Sequence, residues 1–292
     1  MERLTKDIFQ ISSDLVKEYY TNGDNIKTIE SFDGQQKNCI IYFSSNELYY
    51  PNTASSFIDA IVKRDKYEWK NNLFPSMQKH IFVRDLQKQW YIEGSSSVYN
   101  TTQLLVDKLA ELTEGYKIYT IGSSAGGFAA LLYGSILNAQ RVYAFNAQLD
   151  LNVVMENSSY DVDPLLFKHV TNPTFSKYFN VGDFLKPGIE YLYFHSAKSQ
   201  MDIDQYQSCN NKELLLKIEF NTANHGFPFL RHDLGYVLNL TYAELKHLSQ
   251  KRIHPFLFTV KTKGLLKAIF LTSSAIKKRV QKKITERKHA KK

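Results

Sequence analysis

Residues 117–133 read Lys-Ile-Tyr-Thr-Ile-Gly-Ser-Ser-Ala-Gly-Gly-Phe-Ala-Ala-Leu-Leu-Tyr, and no other stretch limits the fold so tightly. The run Tyr116–Ile121 is rich in β-branched and aromatic residues, as a buried strand is. From Phe128 onward Ala, Leu and Tyr dominate, which favours a buried helix. Between them, Gly122-Ser123-Ser124-Ala125-Gly126 fits G-x-S-x-G. On a strand-to-helix turn this pattern makes a nucleophile elbow, with the central serine in strained backbone and its hydroxyl exposed above the sheet edge. The flanking glycines keep a Cβ out of the neighbouring strand and helix. The helix that follows aims its unpaired N–H groups at any negative charge on the serine. Ser124 is therefore the candidate nucleophile, and the Ala125 amide is one half of a candidate oxyanion hole. The competing reading is a glycine turn that only packs tightly or binds a phosphate.

The rest of the composition leaves room for such a site. A chain of 292 residues with 43% hydrophobic and 14% aromatic content can bury a large α/β core. Cys39 lies in an apolar run and Cys209 in a polar one, which is neither a disulfide framework nor a zinc site. No HExxH, Walker, Rossmann or EF-hand pattern occurs, so neither a metal nor a nucleotide site is signalled. Met1–Asp7 lacks the apolar core of a secretory leader, and the expectation is a cytoplasmic protein. The net charge of +8 is unevenly spread. Residues 251–292 hold 14 Lys/Arg against one acid, Glu286, or +13, which leaves −5 for the body. A mildly acidic body argues against specific nucleic-acid binding and assigns any anionic partner to the tail.

Taken in order, a helix is expected over Ile8–Tyr20, a weak strand at Ile26–Ile29 and a buried strand at Lys37–Phe43. The loop after that strand, through Ser44 and Ser45, is placed to supply the second oxyanion amide. A helix follows at Ala54–Val62, then a strand at His80–Asp85. Trp90 and Tyr91, just past its carboxyl end, are candidates for lining a sugar or acyl pocket, because ligands of open parallel sheets bind near such ends. Simple burial of the loop is the competing reading. A helix is expected over Thr101–Leu112, and a strand over Arg141–Phe145 that ends at Gln148, a further substrate-contact candidate. Strand, helix and strand at these intervals imply right-handed crossovers and a mostly parallel sheet with helices on both faces. Residues 149–187 break the rhythm with Pro164, Pro173 and Pro187 and read as a cap-like insertion. Strands at Ile189–His195 and Leu214–Phe220 and a helix at Leu240–Leu248 close a domain spanning 1–250.

Three residue types then line up. Ser124 is followed by an acid in the polar loop after a later strand, Asp202 or alternatively Asp204, and then by His225 in the loop after the last strand. His225 would take the serine proton and return it to the leaving group, and the acid would fix the imidazole tautomer. His195 and His232 are rivals, but only His225 sits in a glycine-containing loop after the final strand.

Residues 120–148, with Gly-Ser-Ser-Ala-Gly-Gly-Phe and then Val-Tyr-Ala-Phe-Asn-Ala-Gln, resemble a bacterial group of α/β-hydrolases tied to surface polysaccharide assembly, the capsule polysaccharide O-acetyltransferases in particular. Asn224-His225-Gly226 and the Asp202 loop fall where that family's histidine and acid are expected. The resemblance implies an α/β-hydrolase fold, acetyl-CoA as acyl donor and a sugar hydroxyl on a polysaccharide as acceptor. An esterase using water as acceptor shares the first half of that reaction. A non-catalytic scaffold in glycan assembly is the reading from another class.

The tail over 251–292 departs from the family pattern. In helical projection Leu265, Leu266, Ile269, Ile276, Val280 and Ile284 form one stripe, interrupted by Ser273, with the lysines largely outside it. That is the profile of a basic amphipathic helix on an anionic membrane surface, with contact expected through residues 264–292. A solvated tail behind a packed helix is the alternative.

Overall fold

The computed structural model describes residues 8–30 and 37–289, with residues 278–289 as helix backbone alone. Met1–Asp7 lies outside the described residues, and so do the side chains of Val280 and Ile284 in the tail stripe.

Seven strands build one sheet: β1 (Ile26–Glu30), β2 (Asn38–Phe43), β3 (Lys79–Val83), β4 (Lys117–Ser123), β5 (Arg141–Phe145), β6 (Glu190–Ser196) and β7 (Leu215–Phe220). Their order is β1-β3-β2-β4-β5-β6-β7. Only β1 runs antiparallel to its neighbour. The principal helices are α1 (Asp14–Asn22), α2 (Thr102–Thr113), α3 (Ala125–Ile136), α4 (Gln200–Ser208), α5 (Tyr242–Ser249), α6 (Pro255–Lys263) and α7 (Leu265–His289). The parallel strands are buried on both faces, as helix-covered strands must be. Cys39, Ile41 and Phe43 of β2 pack on the α3 side with Phe128, Leu131, Leu105 and Leu109. Ile40 and Tyr42 point the other way, into a cluster with Phe145, Phe194, Phe229, Leu245 and Phe258. This alternation pins the register, since a one-residue slip would exchange the two faces.

Three local expectations are corrected. The helix over 8–20 is two helices, because Ser13 adopts an extended backbone (φ −62°, ψ 126°) between Phe9–Ser12 and α1. The helix over 54–62 is regular only to Phe57 and continues as a π-helix over Ile58–Lys63. The polar loop carrying Asp202 is instead α4, capped by the Ser199 hydroxyl, which accepts the Asp202 amide at 3.5 Å. Its polar composition has no apolar period, so only the cap announces it.

Residues 149–187 fold into short helices at Leu151–Glu156, Pro164–His169 and Pro173–Ser176 and a 3₁₀ turn at Val181–Phe184. Their apolar side chains, among them Leu151, Leu166, Phe179 and Val181, join the α3-side cluster. Beyond residue 250 the chain returns to the sheet edge. The Ile253 amide donates to the Glu219 carbonyl at 2.8 Å, and the Asn221 amide donates to the Ile253 carbonyl at 2.7 Å. That pairing covers the free edge of β7. Phe258 then anchors α6 in the second cluster, and Gly264 (φ +81°) turns the chain into α7.

Candidate active site

The elbow is built by backbone contact. Ser124 has φ 53° and ψ −122°, a conformation L-residues occupy only under constraint. A Cβ on Gly122 would stand 2.0 Å from the Gly126 carbonyl oxygen, and one on Gly126 would stand 2.4 Å from that of Phe43. The two glycines thus let β4, the first turn of α3 and the end of β2 meet at one point. The Ser124 amide donates to the Phe145 carbonyl at 3.0 Å, which ties the strained residue to β5.

Above that turn, His225 Nε2 lies 2.9 Å from Ser124 Oγ, and His225 Nδ1 lies 2.8 Å from Asp202 Oδ1. Asp202 is fully buried, whereas the His225 side chain keeps 33% of its exposure. The other acid, Asp204, accepts from Gln200 Nε2 at 2.7 Å on an exposed face of α4. The α-helix decides between them: residues two apart point to different sides, so only one can face the imidazole. His195 is buried on β6, 3.6 Å from Glu219, and His232 is an exposed residue on the cavity rim.

Asn146 has a role that the sequence pattern did not single out. At φ 40°, it donates from Nδ2 to Ser196 Oγ at 2.8 Å and to the Asn224 carbonyl at 3.0 Å. Its Oδ1 accepts the Ser196 amide at 2.8 Å, and Ser196 Oγ donates to the same Asn224 carbonyl at 2.7 Å. The residue before His225 is thereby clamped to the ends of β5 and β6. The available signal was an asparagine directly after a strand, a type that tolerates positive φ.

The oxyanion donors are only partly as expected. Ala125 is the first residue of α3, so its amide has no acceptor within the helix. Ser44 is corrected: its amide extends the sheet ladder to the Val83 carbonyl at 3.1 Å. Ser45 does border the cavity, but its amide donates to Glu68 Oε2 at 2.6 Å. Glu68 was missed because it lies in an irregular stretch. Its other oxygen receives Arg231 at 3.2 Å.

Trp90, Tyr91 and Gln148 are corrected as pocket residues. Trp90 is 1% exposed and Tyr91 0%, and none of the three is on the cavity wall. The buried Asp85 carboxylate explains this. It accepts the amides of Gln87, Lys88, Gln89 and Tyr91 at 3.1, 2.9, 2.6 and 3.2 Å. That tight nest folds the loop inward, with Trp90 and Tyr91 at φ 56° and 60°. Trp90 Nε1 donates to Gln148 Oε1 at 2.6 Å, and the Tyr91 hydroxyl donates to the Ser44 carbonyl at 2.8 Å. Tyr91 thereby props the Ser44–Ser45 turn, while Trp90 holds Gln148, whose amide donates to the Ser124 carbonyl at 3.3 Å. Burial pushes the Asp85 carboxyl up to about 6 and the neighbouring Lys88 ammonium down to about 7.

Ser124 and His225 open into a cavity of about 560 Å³. Its walls carry Glu68, Phe227, Phe229 and Arg231 and, from α7, Leu271, Ser274 and Ala275. Among the described residues, the 149–187 segment contributes nothing to this lining. Among the described residues, no cluster of three or more His, Cys, Asp or Glu is arranged to hold a metal ion.

No protein-family model and no curated protein matches the chain. Solved structures do. The capsule O-acetyltransferase of Neisseria meningitidis serogroup A is similar at 15% identity, over 78% of this chain and 92% of that one, with a TM-score of 0.47. A mutant of that enzyme solved with CoA aligns at 14% identity over 64% of this chain and 78% of its own, with a TM-score of 0.43. Acetyl xylan esterase 1 from Thermoanaerobacterium aligns at 13% identity over 75% of this chain and 78% of its own, with a TM-score of 0.44. The strand order, the single antiparallel edge strand and the elbow after β4 define the fold as that of the α/β-hydrolases.

Proposed function

We propose that this chain is a serine acyltransferase that moves an acetyl group from acetyl-CoA to a hydroxyl of a bacterial surface polysaccharide, through an acyl-Ser124 intermediate. The observation that supports it is the continuous hydrogen-bonded line from Ser124 through His225 to the buried Asp202. The donor and acceptor come from the resemblance of the elbow segment to the capsule O-acetyltransferases.

In this reading His225 Nε2 accepts the Ser124 proton as Oγ attacks the thioester carbonyl. The oxyanion forms against the α3 N-terminus at the Ala125 amide. The C–S bond breaks, and the CoA sulfur leaves with the proton held on His225. The CoA thiolate takes that proton as it departs, a sugar hydroxyl then gives its own proton to His225 while its oxygen attacks the acyl carbon, and the bond between the acyl carbon and Ser124 Oγ breaks as Oγ takes that second proton. Asp202 steadies the imidazolium in both halves. Its Oδ2 is buried without a hydrogen-bond partner, and an unsatisfied buried acceptor costs about 1–3 kcal/mol. The cation that forms on His225 during the reaction lies against this carboxylate.

Acetyl-CoA with and without a glycan acceptor tests the reading. The expected result is a Ser124-acetyl protein by intact mass and peptide mapping, and CoA release that accelerates when acceptor is added. Rapid release with no acceptor would identify hydrolysis instead. Unlabelled Ser124 under acetyl-CoA and under a serine-directed fluorophosphonate would overturn the enzymatic reading and leave the scaffold.

A further inference from the structure

Among the described side chains of α7, one side packs on the fold and another faces outward. At about 100° per residue, Leu265, Ile276, Ile269, Leu266 and Phe270 fall within an arc of about 140°. These five are the exposed side: Leu266 is 85% exposed, Phe270 72%, Ile276 57%, Leu265 56% and Ile269 48%. Leu257 on α6 is also exposed, at 62%. The opposite arc holds Ala268, which is fully buried, and Leu271, Ser274 and Ala275, which line the Ser124 cavity. This apolar face, uncovered by the described residues on the same helix that walls the Ser124 cavity, needs a partner.

Charge identifies that partner. Lys261, Lys263, Lys267 and Lys277 stand on α6 and the described part of α7, and residues 251–292 carry 14 Lys/Arg against Glu286 alone. A dense positive segment repels a second copy of itself and is drawn to anionic lipid. Among the described residues no helix is long and apolar enough to cross a membrane, so the face would lie in the interfacial plane.

We propose that the outer apolar face of α7 docks on an anionic bilayer surface, so that the helix whose other side walls the Ser124 cavity lies at that surface. The acceptor hydroxyl is then one presented at the membrane, on a lipid-borne glycan. This last step rests on the acyl-transfer reading, whereas the docking does not.

Vesicle flotation of the full chain tests the docking. Wild type is expected to float with phosphatidylcholine/phosphatidylglycerol vesicles, to stay behind with pure phosphatidylcholine, and to be released by high salt. The double variant L266E/F270E is expected to lose at least tenfold in partitioning while keeping its rate of CoA release from soluble acetyl-CoA. Ser124→Ala is expected to float like wild type, so loss of chemistry and loss of docking are read separately. Absence of wild-type flotation on anionic vesicles overturns the proposal, and so does flotation undiminished in L266E/F270E. A wild-type dimer in sedimentation velocity that L266E/F270E converts to monomer would overturn it too, because the face would then serve a second copy.

Discussion

The Glu68 carboxylate accepts the Ser45 amide, the group expected from the sequence as second oxyanion donor, at 2.6 Å. On the acyl-transfer reading that contact engages the donor and places a carboxylate next to the amide meant to face the oxyanion. Two like charges this close disfavour each other even with solvent screening. Glu68→Gln keeps an acceptor for the Ser45 amide and removes the charge. We expect kcat/KM for acyl transfer to rise roughly 3- to 10-fold, about 1 kcal/mol of transition-state stabilisation. Stopped-flow CoA release checks it, and a fall would show that the carboxylate holds the turn in its working shape.

Asp202 and Asp204 offer a paired test. Only Asp202 contacts the imidazole, at 2.8 Å. Asp202→Asn is expected to lower kcat by roughly 10³–10⁴, because the wrong imidazole tautomer then faces Ser124. Asp204→Asn is expected to stay within about twofold, as surface changes away from a site do. Equal effects from the two would remove the assigned acid.

The clamp at Asn146 predicts a different kinetic signature. Asn146→Ala leaves the Asn224 carbonyl with Ser196 Oγ as its partner and frees the His225 loop. The expectation is a fall in kcat of about 10-fold with KM for acetyl-CoA nearly unchanged, since the residue orients the base and does not touch substrate. A change confined to KM would contradict it.

Close packing at the elbow separates two glycines. On Gly126 a new Cβ would meet the Phe43 carbonyl oxygen at 2.4 Å, whereas on Gly235 it would meet nothing within 4 Å. Gly126→Ala is expected to cost about 3–5 kcal/mol in urea unfolding, because backbone cannot give way as a side chain can. Gly235→Ala, within the helix Leu234–Leu238, is expected to be neutral or to gain about 0.5–1 kcal/mol. Comparable losses at both would mean that the contact at Phe43 is not what confines the turn.

Lys88 links stability to pH. Burial holds its ammonium down to about 7, and it donates to the Tyr49 carbonyl and Asn52 Oδ1, each at 2.5 Å, and lies 3.9 Å from the centroid of the Tyr49 ring. Between that value and the ordinary lysine range the unfolded chain holds a proton that the folded chain has lost. Stability therefore rises with pH across this window, and the contribution disappears as pH falls through about 7. Asp85 runs the opposite way: its folded value is raised to about 6, so its contribution is lost as pH rises through that point. From about pH 7 to about pH 9, wild type should gain on the order of 2 kcal/mol relative to Lys88→Met. Chemical denaturation of both proteins at the two pH values measures the difference, and parallel curves would refute the assignment.

What could be read before folding was whatever depends on near neighbours in the chain. Apolar runs rich in β-branched and aromatic residues marked β2, β4, β5 and β6, and the glycine spacing around Ser124 marked the elbow, because those constraints act over a few residues. Choices that depend on distant segments could not be read this way. The turn of α4 decided which acid faces His225, the ladder to Val83 took Ser44 out of the oxyanion site, and the Asp85 nest turned Trp90 and Tyr91 into the core. Glu68 reached Ser45, Asn146 reached Asn224, and α7 reached the cavity mouth only because the sheet brought those segments together. Local propensity is set by steric freedom within a few bonds, whereas a site is a set of distances between segments that only the packed core can set.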